Sequence, residues 1–287
     1  MIKDNPITIW IKDQEKRHGN NWLVILFAQP GVYLFTLLKK TIYIGMCLFL
    51  FFFILEKIGI KEQILPSAFH SVIGIVIGLL LVFRVSTAYD RWWEARKLFA
   101  AFHSSVLYLN SKNKNPETQD LISNKLRELN KSLFDFTLSS SKEEANSLKM
   151  TFLKKLEELS SAFYAENLSP QVYSLIEKKV VDIIENFCSL ERVKDTPIPT
   201  SYALHIKISI LSYLFTLPLG LFHEYGYVSI PFAMFIYFVI GGIEIISNEI
   251  ENPFEQAPND LPLRDYRDEN NLYISKKNEQ KSTNNIK

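Results

Sequence analysis

The chain has little of several residue types on which common protein classes depend. Its 287 residues include only two cysteines and ten glycines, and its formal net charge at pH 7 is +1. The two cysteines, Cys47 and Cys188, are too few for a disulfide scaffold and lie in segments of different character. Because Lys and Arg are not in excess, the chain lacks the concentrated positive charge that binds nucleic-acid phosphates.

Short catalytic signatures are missing as well. The sequence contains no phosphate-cradling glycine loop, no HExxH, no CxxC and no GxSxG. Of the histidines near the ends of the apolar segments, His70, His205 and His223, only His70 and His223 could lie at one depth, so we expect interfacial imidazoles in contact with water and no metal or haem site. The sequence therefore favours a protein that is not an enzyme and that binds neither a metal nor another cofactor.

The chain does contain long apolar runs, which a mean hydropathy near zero conceals. The uncharged runs 64–83 and 225–243 reach the roughly 20 residues with which a helix crosses a bilayer. The runs 41–55 and 208–222 are shorter, but flanking lysines can extend them toward the headgroups. We predict four transmembrane helices.

A fifth apolar run, 22–38, is interrupted by Gln29, Pro30 and Gly31. Two lysines are all that separate it from the next run, too few for the chain to reverse after a full crossing. We therefore predict a helix that lies at the interface or beside the bundle. Basic residues cluster before the first span and after the second, so the positive-inside rule predicts a multi-pass protein of the inner membrane with both termini in the cytoplasm.

The middle of the chain is polar and carries helix signals. Ser141 and Glu144 form a capping box, and Ser169 followed by Pro170 is typical of a helix start. The polar tail after Leu263 has an Asn-rich end that we expect to be disordered. The predicted organisation is an N-terminal cytosolic or interfacial segment (1–40), two spans (41–97), a helical cytosolic domain (98–200), two further spans (201–249) and a cytosolic tail (250–287).

The most specific motif in the sequence follows the second predicted span. Residues 83–98 read FRVSTAYDRWWEARKL, which places aromatic and basic side chains at the level of the inner headgroups. A second block, residues 242–254, reads GIEIISNEIENPF, and a third, TPIP, occupies residues 196–199. In order and spacing these blocks resemble the bestrophin family. The matched residues of interest are Arg84, Tyr89, Asp90, Arg91, Trp92, Trp93 and Glu94 in the first block and Glu244, Glu249, Asn252, Pro253, Phe254 and Asp260 in or after the second.

This resemblance implies a bestrophin-like homopentamer around one axial pore, which the second span lines. Counted back from the RWW motif, the family's apolar neck falls on Ile75, Leu79 and Phe83. Their spacing of four residues places them along one helical stripe. Since this helix is apolar on every side, periodicity alone cannot distinguish a pore-facing stripe from a lipid-facing one. Gly74 and Gly78 beside it permit close helix contact.

The resemblance also implies a second constriction at Ile198, although an ordinary buried isoleucine before a helix start would give the same sequence. The family's calcium clasp maps to residues 255–260, which keep few carboxylates, so calcium gating is not expected. For Arg84 and Glu244, near hydrocarbon depth, we hypothesise an ion-pair network with Asp90, Arg91 or Glu249.

The resulting expectation is a passive channel for small monovalent ions, with chloride as the default. Its other partners would be the lipid bilayer and further copies of the same chain. A cation (sodium) channel of the same architecture is the first alternative, because an apolar neck carries no charge. A secondary transporter using Glu244 and the histidines is another, and a non-conducting membrane scaffold is the last.

Overall fold

The protein is all-helical where the computed structural model describes it, over residues 32–58, 67–112, 115, 117–166, 168–255 and 260–284. Four helices are long and apolar enough to cross a membrane, as predicted. The α-helices, numbered in chain order, are α1 (Val32–Ile58), α2 (Ser67–Lys112), α3 (Gln119–Leu138), α4 (Lys142–Tyr164), α5 (Pro170–Asp195), α6 (Thr200–Tyr225), α7 (Ser229–Glu251) and α8 (Leu263–Asn284), with a 3-10 turn at Gly226–Val228.

The first span differs from the prediction at its beginning. Helix α1 starts at Val32 and passes through Lys39 and Lys40 without interruption, so residues 32–38 are part of the span helix and not of a separate interfacial helix. The stretch contains neither proline nor glycine until Gly45, and both lysines are exposed, which leaves nothing to end a helix there. Residues 22–31 of the predicted interfacial segment lie outside the described residues.

The described residues form two compact units. The membrane unit contains the chain through Val85 together with Ser201–Ile246, and the helical unit contains Ser86–Thr200 together with the chain from Ser247 onward. Helices α2 and α7 contribute residues to both units. The five segments proposed from the sequence follow membrane position instead of compactness, and they stay a prediction.

The core of the membrane unit forms from one stripe of each span. Residues 44, 48 and 52 of α1 and 206, 210 and 214 of α6 recur at helical spacing and are buried. Helices α2 and α7 add Ile77, Leu81, Ile230 and Ala233. Most other apolar side chains of these helices are exposed within the single chain, as expected for surfaces that face lipid or another subunit.

The helical unit folds around α3, which packs against α4, α5 and α8. Its core includes Phe152 and Phe187, whose stacked rings lie 4.2 Å apart. The predicted cap of α4 is present, because the Glu144 amide donates to Ser141 Oγ over 3.1 Å. Helix α5 begins at Pro170 after Ser169, as predicted, although the Ser169 side chain makes no capping hydrogen bond.

Helix α8 corrects the prediction of a disordered tail end, since it continues to Asn284. Its Leu263 and Ile274 are buried in the core of the helical unit. Between them, Asn270 Nδ2 donates to Asn130 Oδ1 over 2.9 Å, and Asn130 Nδ2 donates to Asn271 Oδ1 over 2.9 Å. Buried amides that satisfy each other fix the position of a helix whose composition alone is too polar to indicate burial.

We expect Phe187→Ala to lower the free energy of unfolding of the helical unit by about 3–5 kcal/mol, because it removes a buried aromatic ring and leaves a cavity beside Phe152. Urea denaturation of the detergent-purified protein, followed by circular dichroism, measures the loss. The control is Met150→Ala, at a side chain that is 66% exposed, for which we expect a change within about 0.5 kcal/mol. Equal losses in both variants would contradict this account of the core.

Candidate functional site

Helix α2 has two opposite faces in the membrane-spanning part. His70, Ile77, Leu81, Arg84 and Ala88 are buried inside the chain. At about 100° per residue these positions form one stripe.

The predicted neck residues lie on the other side of α2. Ile75 is 73% exposed, Leu79 is 55% exposed and Phe83 is 56% exposed in the single chain. The helical repeat places their stripe about 170° from the buried one. All three side chains are therefore exposed in the single chain, and none of them belongs to its buried core.

The two glycines of α2 differ in what surrounds them. A Cβ at Gly74 would lie 3.0 Å from Tyr213 Oη, so this glycine makes room for a side chain of α6. At Gly78 a Cβ would meet nothing within 4 Å. Gly78 is thus on an open part of the helix surface, where another helix could approach closely.

The aromatic motif after Phe83 forms a compact stack on α2. Tyr89 and Trp93 stack with centroids 6.3 Å apart, and Trp92 lies 6.4 Å from Trp93. The Arg96 guanidinium lies over both indoles, at 5.6 and 5.7 Å from their centroids. Glu94 pairs with Arg192 of α5 at 2.7 Å. This ion pair attaches the motif to the rest of the helical unit.

Arg91, in the same motif, binds three backbone carbonyls. Its Nε donates to Glu251 O over 3.1 Å, its Nη2 donates to Val193 O over 2.8 Å, and its Nη1 donates to Thr196 O. Val193 is in the last turn of α5, and Glu251 is the last residue of α7. The carbonyls at a helix C-terminus have no intrahelical donor and carry the negative end of the helix dipole, so a guanidinium is a suitable cap for both helices.

Lys194 caps a third helix in the same way. Its Nζ donates to Phe136 O over 2.6 Å, to Ser139 O over 3.0 Å and to Ser139 Oγ over 2.6 Å, at the end of α3. Burial lowers the pKa of the Lys194 ammonium below its ordinary value. Beside Arg91 and Lys194 lies a cleft of about 520 Å³, lined also by Thr137, Ser139, Ser140, Asn252, Pro253 and Glu255.

One ionisable residue near hydrocarbon depth has a partner outside the hypothesised network, which stays a prediction. Glu244 Oε1 lies 3.4 Å from the Nζ of Lys207, the lysine that flanks the run 208–222. Arg91, one of the proposed partners, instead binds backbone carbonyls. Arg84 is completely buried. No sequence signal indicated the Lys207–Glu244 pair, because the two residues are on different helices.

The second block forms the last turns of α7 and the beginning of the turn that follows this helix. The Leu261 amide donates to Pro253 O over 3.2 Å, which closes the turn, and Phe254 packs edge-on against Phe99 with centroids 6.3 Å apart. Residues 256–259, most of the run matched to the calcium clasp, lie outside the described residues. Among the residues that are described, no three His, Cys, Asp or Glu side chains come together as metal ligands would.

Two further predicted positions are buried in the single chain. Ile198, proposed for the second constriction, is 7% exposed in the single chain. The alternative considered from the sequence, a buried isoleucine before a helix start, agrees with this burial, and the constriction stays a prediction. His70 is 4% exposed and packs near Phe69 and Tyr213, which corrects the expectation of an imidazole in contact with water.

The sequence and the fold have clear counterparts among known proteins. The profile of a family described as Bacterial/Fungal Bestrophin protein matches residues 14–113 and 105–272. A voltage-dependent anion channel-forming protein of Nostoc sp. is 31% identical over 86% of this chain and 88% of its own length. A protein of the same description from Escherichia coli K12 is 24% identical over 72% of this chain and 74% of its own length.

A solved structure shows the same fold. A bacterial bestrophin homologue from Klebsiella pneumoniae superposes with a TM-score of 0.71 at 21% identity, covering 84% of this chain and 97% of the homologue. A point variant of the Klebsiella homologue also superposes with a TM-score of 0.71, at 23% identity, covering 85% and 98%. At this level of identity the likeness concerns the fold alone.

We expect Lys194→Met to lower the free energy of unfolding by about 1–3 kcal/mol, because it leaves the half-buried carbonyls at the end of α3 without their charged donor. Urea denaturation of the purified protein measures this loss. The control is Lys179→Met. The Lys179 ammonium pairs with Asp182, one turn farther along the same helix. Such a surface pair contributes about 0–1 kcal/mol, and a loss at position 179 as large as that at 194 would argue against the cap.

Proposed function

The chain belongs to the bacterial and fungal bestrophin family, and from this premise we propose that it forms a passive channel for small monovalent anions, chloride by default. The channel would be a homopentamer in the inner membrane with one axial pore. The descriptions of the relatives, as anion channel-forming proteins, support the ion class and favour a channel over an enzyme. The four apolar helices make the chain a multi-pass membrane protein.

The observation that carries the proposal is the apolar, unburied stripe of Ile75, Leu79 and Phe83 on α2. It lies opposite the face that α2 buries inside its own chain, so the chain leaves this stripe available to the axis of an oligomer. Five copies would stack three apolar rings along the pore. A constriction without polar groups excludes water and ions by dewetting until it widens, which gives the pore a gate without any charged side chain.

The orientation is proposed from the distribution of basic residues. Arg91, Arg96 and Lys97 follow the second span, whereas the run 223–228 between the last two spans has no Lys or Arg. The positive-inside rule then places the helical unit and both termini in the cytoplasm. The second constriction, at Ile198, would lie in that unit.

The experiment that tests the function is the reversal potential of purified protein in a planar bilayer under a sodium chloride gradient. We expect current that reverses near the chloride equilibrium potential. Reversal near the sodium potential would keep the channel but overturn its selectivity. Silence, even from a variant with Ala at all three neck positions, would overturn the channel itself and leave the transporter or the scaffold.

The neck has its own test in Leu79→Ala. We expect a conductance several-fold higher than that of the unmodified channel, because a smaller ring raises the water density of an apolar constriction. The matched control is Leu50→Ala on α1, since Leu50 is 58% exposed and Leu79 is 55% exposed. Single-channel recording compares the two. An effect of equal size at both positions would show that general loosening, and not the neck, is responsible.

The stoichiometry follows from chemical crosslinking in detergent. We expect a ladder of five species, because a single axial pore requires a closed ring of copies. Gly78→Leu should shorten the ladder, since a large side chain on an open part of α2 would prevent the close approach of a neighbour. A ladder of the unmodified protein that ends at the dimer would contradict the axial pore.

A further inference from the structure

Two of the three hydrogen bonds of Arg91 hold the end of α5 and the start of the segment that connects α5 to α6. Val193 lies in the last turn of α5, and Thr196 is its C-terminal cap, with φ and ψ of −114° and 77°. Helix α6 begins at Thr200. One side chain therefore holds the carbonyls on which the path of residues 196–199 depends, and it also holds the end of α7 through Glu251 O.

The hydrogen bond from Arg91 matters for this segment because residues 196–199 have few backbone donors of their own. Pro197 and Pro199 have no backbone N–H, so half of the segment's residues cannot donate a hydrogen bond to anything around them. On the α5 side, the Thr196 amide donates to Arg192 O over 3.1 Å. The Thr196 carbonyl, which follows this amide, accepts from Arg91 Nη1. Both backbone groups of Thr196 are therefore bound. The planar guanidinium fixes two carbonyl directions at once, whereas the point charge of a lysine in its place would lack that fork.

We propose that Arg91 is the positioning residue of the cytosolic constriction, because its fork holds the Thr196–Pro199 segment and thereby fixes where Ile198 lies. This inference rests on the proposed function. Ile198 follows Thr196 by two residues, so the direction in which Arg91 holds the Thr196 carbonyl sets the path of the chain to Ile198. Arg91 touches no permeating ion and acts entirely through the backbone of the segment.

The test measures the permeability of gluconate relative to chloride under bi-ionic conditions in planar bilayers. We expect the ratio to rise by about two-fold or more in Arg91→Lys, and further in Arg91→Gln, because a loosened segment widens the constriction for the larger anion. Arg96→Lys is the matched control: Arg96 is on the same helix but stacks on Trp92 and Trp93, and the exchange removes no bond to this segment.

A double variant separates this role from general destabilisation. In an Ile198→Ala background, Arg91→Lys should change the ratio no further, since both substitutions act on one constriction. Independent, multiplicative effects would overturn the inference, as would an unchanged ratio in both Arg91 variants. An Ile198→Ala channel with an unaltered ratio would instead overturn the proposed constriction, whatever Arg91 does.

Hydrogen exchange provides a readout that does not require conduction. We expect the Thr196 amide, which donates to Arg192 O, to exchange faster in detergent-purified Arg91→Lys than in Arg96→Lys, with unchanged exchange in α4. Equal exchange at Thr196 in the two variants would overturn the inference. If the unmodified protein conducts no ions, the proposed function fails, and the exchange experiment still decides whether Arg91 holds the segment.

Discussion

The helical unit depends on two cations that neutralise three helix C-termini. Helices α3, α5 and α7 each end with carbonyls that no intrahelical amide can reach, and their dipoles place partial negative charge at those ends. Lys194 binds the end of α3, and Arg91 binds the ends of α5 and α7. Without these donors the carbonyls would lose their charged partners in a half-buried place, where hydrogen bonds to polar groups contribute most to stability. Because Lys194 follows Val193, whose carbonyl Arg91 binds, the two caps meet on the last turn of α5.

The second constraint is that different parts of helix α2 have different surroundings, which are the core of its own chain, the exposed membrane surface and the helical unit. In the membrane unit it buries the stripe of Ile77 and Leu81, while Ile75 and Leu79 stay exposed. In a soluble protein so much exposed apolar surface would cause aggregation. Here, lipid and further copies of the chain are suitable neighbours for it, and close packing at Gly78 would replace the lost lipid contact. Farther along, Arg91 and the ion pair of Glu94 with Arg192 fix the same helix in the helical unit.

The sequence predicted helices and caps that depend on neighbouring residues, but it did not predict contacts between residues that are far apart in the chain. The four spans follow from uninterrupted apolar length, and the cap of Ser141 follows from a motif within four residues. The face of α2 could not be derived, because a helix that is apolar all round has no periodic signal. The carbonyls bound by Arg91 are 102 to 160 residues away in the sequence. Since every residue has a backbone carbonyl, the residue types at these positions do not indicate the bonds. Helix α8 was missed because polar amides, rather than an apolar stripe, occupy part of its buried face.

An apolar neck of the proposed kind would leave charge selectivity to groups outside it. Rings of Ile75, Leu79 and Phe83 would exclude all ions alike when dry and would distinguish little between them when wet. Continuing the same helical stripe past Phe83 leads to Ser86 and then to Asp90, and both are exposed. In a pentamer with the proposed neck, an anion leaving it would pass near five Asp90 carboxylates, which repel it unless positive charge lies closer. Lys97, also exposed on α2, is a cation of the same unit, whereas the charge of Arg192 is paired with Glu94. In the proposed channel, selectivity for anions would require that cations such as Lys97 outweigh Asp90 along the ion path, and an Asp90→Asn channel should favour anions more strongly than the unmodified one.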